Sequence, residues 1–153
     1  MIEKTATAHE TLRAYWTTEG FDFATVGVSE AELAALETRY GIRLPEEFRA
    51  YLMNICPADD SADEGLCTSW WPLARIRNIP EEYEWEVTDS AIAAEASTSL
   101  FFADYSIWAS AWAICCGAGP NYGRIVSICG ADKFVASGFR DFVERHVAGD
   151  VLF

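Results

Sequence analysis

The sequence predicts an α+β fold: a mostly antiparallel sheet of about four to six strands with N-terminal helices and a C-terminal helix packed on it. Three observations predict it. Apolar residues recur at helical spacing before residue 56. They gather into short strand-like runs from residue 99 onward, and helical spacing returns after residue 137.

In chain order, residues 5–16 place Ala8, Leu12, Tyr15 and Trp16 on one side of a helix. Ser29-Glu30-Ala31-Glu32 is a capping box, in which the serine hydroxyl accepts from the amide three residues on and the glutamate reaches back. Leu33, Leu36 and Tyr40 continue that helix, and Gly41 stops it by taking the left-handed conformation. Leu44-Pro45-Glu46-Glu47 starts another helix. Proline at the first helical position forfeits no hydrogen bond, and the two glutamates suit the positive end of the dipole. Phe48, Tyr51, Leu52 and Ile55 form its buried face, and Pro57 ends it.

Residues 58–69 are an acidic loop. Trp70 to Ile76 reads as a strand, with Pro72 pointing to a sheet edge because it has no amide to donate. Tyr83-Glu84-Trp85-Glu86-Val87 alternates aromatic and acidic, as an exposed strand does, or else forms a short irregular segment. Strands follow at 99–103, 106–116, 124–129 and 133–136, with the glycine-rich stretch 117–123 as a hairpin loop. Ser137 caps a last helix whose Phe139, Phe142, Val143 and Val147 face the core.

A length of 153 residues suits one domain, 1–153. It divides into a helical part 5–56, an acidic Trp-rich insert 57–98, and strands with a closing helix over 99–148. Hydrophobic residues at 51% against 23% charged exclude a disordered chain. The net charge of −13 argues against nucleic acid or an anionic membrane surface as partner, and suits a basic protein. That charge is uneven: residues 59–104 carry −9, residues 1–58 carry −4, and residues 105–153 are neutral. No apolar run follows the N-terminus as it would in an export signal, and the most apolar window, 100–119, is broken by Asp104. The expected location is therefore cytoplasmic, with the five cysteines as reduced thiols.

The search for chemistry favours no catalytic centre. Cys56, Cys67, Cys115, Cys116 and Cys129 contain no Cys-x-x-Cys pair, and His9 and His146 stand near opposite ends, so no metal or cofactor is expected. His146 reads as a cation suited to the end of the last helix. No Gly-x-Ser-x-Gly motif is present, and the loop at 117–123 leads into a strand, whereas a phosphate loop opens a helix. Asp104 follows an apolar strand and is expected to accept turn hydrogen bonds. Trp108 and Trp112, four residues apart on a strand, would share a face in the sheet. The candidate binding residues are Asp59, Asp60, Asp63, Glu64, Glu81, Glu82, Glu84, Glu86 and Asp89, an acidic face, with Trp70 and Trp71 as aromatic anchors if they are not core.

Three segments resemble the SUKH superfamily, the Smi/Knr-type domain. The first joins Ser-Glu-Ala-Glu-Leu at 29–33 to Leu-Glu-Thr-Arg-Tyr-Gly-Ile-Arg-Leu-Pro at 36–45 and Glu-Glu-Phe-Arg-Ala-Tyr-Leu at 46–52. The second is Phe101-Phe102-Ala103-Asp104-Tyr105 running into Trp108, Trp112, Ala113 and Ile114. The third is Gly123-Arg124-Ile125-Val126 followed by Ser137 to Val147. The resemblance covers residues 28–148 and leaves aside the helix at 5–16 and the insert at 57–98. It implies a non-enzymatic protein-binding module, either an immunity protein that occludes a basic toxin domain, often a nuclease or deaminase, or an intracellular signalling scaffold. A small enzyme with a carboxylate site is the remaining alternative.

Overall fold

The computed structural model describes residues 5–65, 67–129 and 131–153; residues 1–4, part of the stretch read above for an export signal, lie outside the described residues. The helices are α1 (Ala8–Glu19), α2 (Glu30–Tyr40), α3 (Glu46–Ile55), α4 (Ile79–Glu82), α5 (Ser90–Ala94) and α6 (Phe139–Val147). The strands are β1 (Thr25–Val26), β2 (Cys56–Pro57), β3 (Asp63–Glu64), β4 (Thr68–Trp70), β5 (Ser99–Tyr105), β6 (Ser110–Cys115), β7 (Ile125–Ile128) and β8 (Lys133–Ala136). β3 to β8 form one six-stranded antiparallel sheet in chain order, and β1 pairs with β2 apart from it. Because each strand pairs with the next, short turns suffice, except where residues 71–98 intervene between β4 and β5.

The helices begin and end on side-chain chemistry. Ser29 and Glu32 close the predicted capping box of α2, and Gly41 stops it at φ +63°. α1 has a second capping box, Thr7 with Glu10, and a left-handed Gly20 at its end. Phe48, Tyr51, Leu52 and Ile55 are the buried face of α3, as their spacing predicts, with Pro45 as its N-cap. Phe139, Phe142 and Val143 bury the inner face of α6.

The sheet is covered on both sides. Trp70 and Trp71 are consecutive, so they point to opposite faces. Trp70 meets Trp16 of α1, Tyr51 of α3 and Phe142 of α6. Trp71 meets Phe101 and lies under the Arg75 guanidinium, 3.9 Å from its ring centre. Phe102 joins Phe48 and Phe139 on the helical side, while Phe101 meets Trp108 on the other. Burial on both faces explains why β5, β6 and β7 are apolar almost throughout, without alternation.

Three local expectations are corrected, and one open alternative is decided. The strand expected over 70–76 spans only Thr68–Trp70; Pro72 caps a 3-10 turn at Leu73–Arg75, since its fixed φ and missing amide favour a turn over a ladder. Residues 83–87 take the irregular alternative, and short helices α4 and α5 flank them, capped by Asn78 and Asp89. The strand expected from 106 starts at Ser110. Residues 106–109 are the β5–β6 turn, so Trp108 leaves the sheet and does not share a strand face with Trp112. Ser137 does not cap α6; Gly138 is the N-cap, and the Ser137 amide instead donates to Asp141 at 3.0 Å.

Candidate partner-binding surface

The structure divides the acidic residues by what their carboxylates already hold. Asp59 accepts from the Ser61 hydroxyl and amide, which hold its carboxyl below the usual range. Asp63 accepts from the Ser69 hydroxyl across the β3–β4 pair. Asp89 accepts from the Ala91 and Ile92 amides at 2.9 and 3.0 Å and so starts α5. Glu81 pairs with Arg39 at 2.7 Å and accepts from the Tyr40 hydroxyl. Glu82 lies 3.7 Å from Arg77 and 4.0 Å from Arg75. Asp60, Glu84 and Glu86 are exposed and hold no partner among the described residues.

Three of the candidates are core. Trp70 and Trp71 are 1% and 0% exposed, so neither has a face to offer a partner. α1, α3 and α6 cover Trp70, and the insert closes over Trp71 through Arg75. Glu64 is buried at 5% exposure. Its Oε2 accepts from the Trp16 and Trp70 indoles at 2.7 and 2.6 Å, and its Oε1 lies 2.7 Å from His146 Nε2. This carboxylate ties α1, β4 and α6 together, beside a cavity of about 300 Å³ also lined by Tyr15, Tyr105 and Leu152. A carboxylate beside an imidazole is acid–base machinery in principle. Here both carboxylate oxygens are already taken by structural donors.

Asp104 behaves as its position predicts: it is buried, accepting from the Trp71 indole at 2.7 Å and from the Trp108 amide at 2.8 Å. Burial pushes the Cys56 thiol up to about 12 and raises those of Cys115 and Cys116 as well. Among the described residues no three His, Cys, Asp or Glu side chains converge as a metal site would need. Nor is any helix among them long and apolar enough to cross a membrane.

Two exposed hydrophobic residues lie outside the predicted binding set: Trp85 at 75%, within the run that reads as exposed, and Ile107 at 98% exposure. Trp85 lines a shallow concavity of about 390 Å³ with Glu82, Tyr83, Glu84, Trp108 and Cys129. Tyr83 stacks on Trp108 at 5.8 Å with 7° between the rings. The alternating aromatic and acidic run at 83–87 was the available signal, since an exposed tryptophan between two glutamates has no structural duty.

A family model described as the SMI1 / KNR4 family (SUKH-1) matches residues 27–145. It begins just before α2, runs through the insert into α6, and leaves α1 outside. No curated protein and no solved structure gives a significant match.

Proposed function

The chain belongs to the SMI1/KNR4 family, SUKH-1, and from that premise we propose that it is a non-enzymatic protein-binding domain, specifically an immunity protein that neutralises a bacterial toxin by occlusion. The family match over residues 27–145 is the observation that carries this reading. Electrostatics supports it. A nuclease-like effector needs a basic cleft to hold its substrate, and a chain of net charge −13, with −9 of it over residues 59–104, is complementary to such a cleft. Asp60, Glu84 and Glu86 offer unpaired carboxylates, while Asp59, Asp63, Glu81, Glu82 and Asp89 add to the field although each is locally engaged. Glu64, held by the Trp16 and Trp70 indoles beside His146, reads as a structural acceptor, which suits a non-enzymatic domain. The proposed compartment is the cytoplasm, which five free cysteines suit.

The test is co-expression. The toxin domain encoded beside this chain's gene is induced alone and together with the chain, and growth and complex formation are measured. Restored growth with a stable complex is expected. Undiminished killing while the folded chain is present at equal or greater amount would overturn the immunity reading. A bound neighbour that is not toxic would point to a scaffold.

A further inference from the structure

On the reading above that the chain binds a basic protein, we infer that the docking surface is the sheet end where Trp85 and Trp108 line one concavity and Ile107 stands exposed next to Trp108 in the β5–β6 turn, and that it receives a protein surface presenting an arginine or lysine beside an apolar side chain. Two independent features converge there. Ile107 and Trp85 are the two most exposed large hydrophobic residues among those described. All four non-glycine residues of positive φ among those described are there too: Ser106 at 49°, Ile107 at 52°, Trp108 at 64° and Cys129 at 83°. A β-branched residue is disfavoured in that conformation. Glycine or asparagine at 107 would relieve the strain and remove the exposed apolar side chain, so neither folding nor solubility accounts for isoleucine.

The surface is also preorganised. The Trp108 amide is held by Asp104, and its ring by Tyr83 and Phe101. Asp132 accepts from the Thr88 amide and hydroxyl at 2.8 and 3.1 Å and from the Cys129 amide at 3.0 Å, fastening the segment that carries Trp85 to the end of β7. Fixed contacts of this kind reduce the ordering cost of binding. Among the described residues no basic side chain lines the concavity, whereas Glu82 and Glu84 do, and Glu86 stands unpaired beside Trp85. A cation arriving there meets an indole face and a free carboxylate together. A second copy of this chain is the wrong occupant, because a twofold contact would press Glu84 and Glu86 against their own images at a net charge of −13 per chain.

The probe is the soluble protein of the source cell, divided by cation exchange into basic and non-basic fractions and passed over the immobilised chain. Retained proteins are identified, purified and titrated against wild type, Trp85→Ala, Ile107→Asp, Ile107→Asn and the control Val151→Asp, each first checked for a wild-type melt. The expected result is a protein from the basic fraction whose affinity falls at least tenfold with Trp85→Ala and with both Ile107 variants but is unchanged by Val151→Asp. Ile107→Asn guards against misfolding, since asparagine accepts the left-handed turn. Equal binding by every variant overturns this surface and leaves the protein-binding reading standing. Retention of no protein from either fraction overturns both. Retention only from the non-basic fraction, or a wild-type dimer in sedimentation that Ile107→Asp dissolves, overturns the proposed occupant.

Discussion

Glu64 is acidic in sequence and structural in the fold. Charge alone placed it on a binding face; its position at the end of β3, between two indoles and an imidazole, makes it a buried acceptor. Glu64→Leu strands two indole N–H groups, each costing about 1–3 kcal/mol unpaired, so a loss of about 3 kcal/mol or more is expected. Glu64→Gln keeps a carbonyl oxygen for the indoles and should lose clearly less. Urea unfolding of the two variants measures the difference, and equal losses would count against the acceptor role. The cysteines make a second residue-scale case. Because the thiolate is the nucleophile, the raised thiols of Cys56, Cys115 and Cys116 should resist iodoacetamide at pH 8 in the native protein, while exposed Cys67 is alkylated. Peptide mapping by mass spectrometry reads this directly, and early modification of Cys116 would contradict its burial.

At the scale of elements, the β5–β6 turn is where the fold departs furthest from its sequence signals. Ser106-Ile107-Trp108-Ala109 contains no glycine, proline, asparagine or aspartate, yet three of its four residues take positive φ. Asp104 makes this possible by accepting from the Trp108 amide. Ile107→Gly removes a fully exposed side chain from a left-handed position that disfavours it by about 1–2 kcal/mol. The variant should therefore gain about 1 kcal/mol of stability, seen as a higher melting temperature; a lower one would mean that the turn is not strained. The helices behave in the opposite way. Thr7-Ala8-His9-Glu10 is as clear a capping box as Ser29 to Glu32, and reading it moves the start of α1 to the observed residue. α4 and α5 carry legible caps in Asn78 and Asp89, but elements of four and five residues have too little apolar periodicity to be distinguished from loop.

The whole molecule acts through its charge and its core. If the acidic field steers a basic partner, association should slow as salt rises, because screening at a Debye length of about 8 Å removes the long-range attraction. The double change Glu84→Gln/Glu86→Gln should lower the on-rate more than it raises the off-rate, as surface kinetics with the captured partner would show. A salt-independent on-rate would leave the acidity without a steering role. The core titrates as well. Cys56 rises from 9.0 to about 12 in the fold, so its contribution to stability is complete below pH 9 and is lost as pH climbs toward 12. Tyr51, raised well above 10.0 by complete burial, acts in the same direction over a higher range. Melting temperatures should fall progressively above pH 9, and a flat profile to pH 12 would contradict the burial of these groups.

Local and periodic features could be read from the sequence alone. The capping box at Ser29, the Gly41 stop, the helical face from Phe48 to Ile55, the antiparallel strand run and the closing helix each depend on neighbours within a few residues, and each predicts its element. The family resemblance rested on the same segments. Which face of the sheet each residue met was decided only by the tertiary structure. Trp70 and Trp71 look alike beside an acidic loop, but pleating sends one to the helices and the other under the insert, and both vanish from the surface. Ile107 carries no local mark of exposure, and Trp85 carries only the acidic alternation around it; both stand out because the insert and the β5–β6 turn converge at one end of the sheet without covering it. Burial is a property of what the distant chain brings alongside, and no window of neighbouring residues contains it.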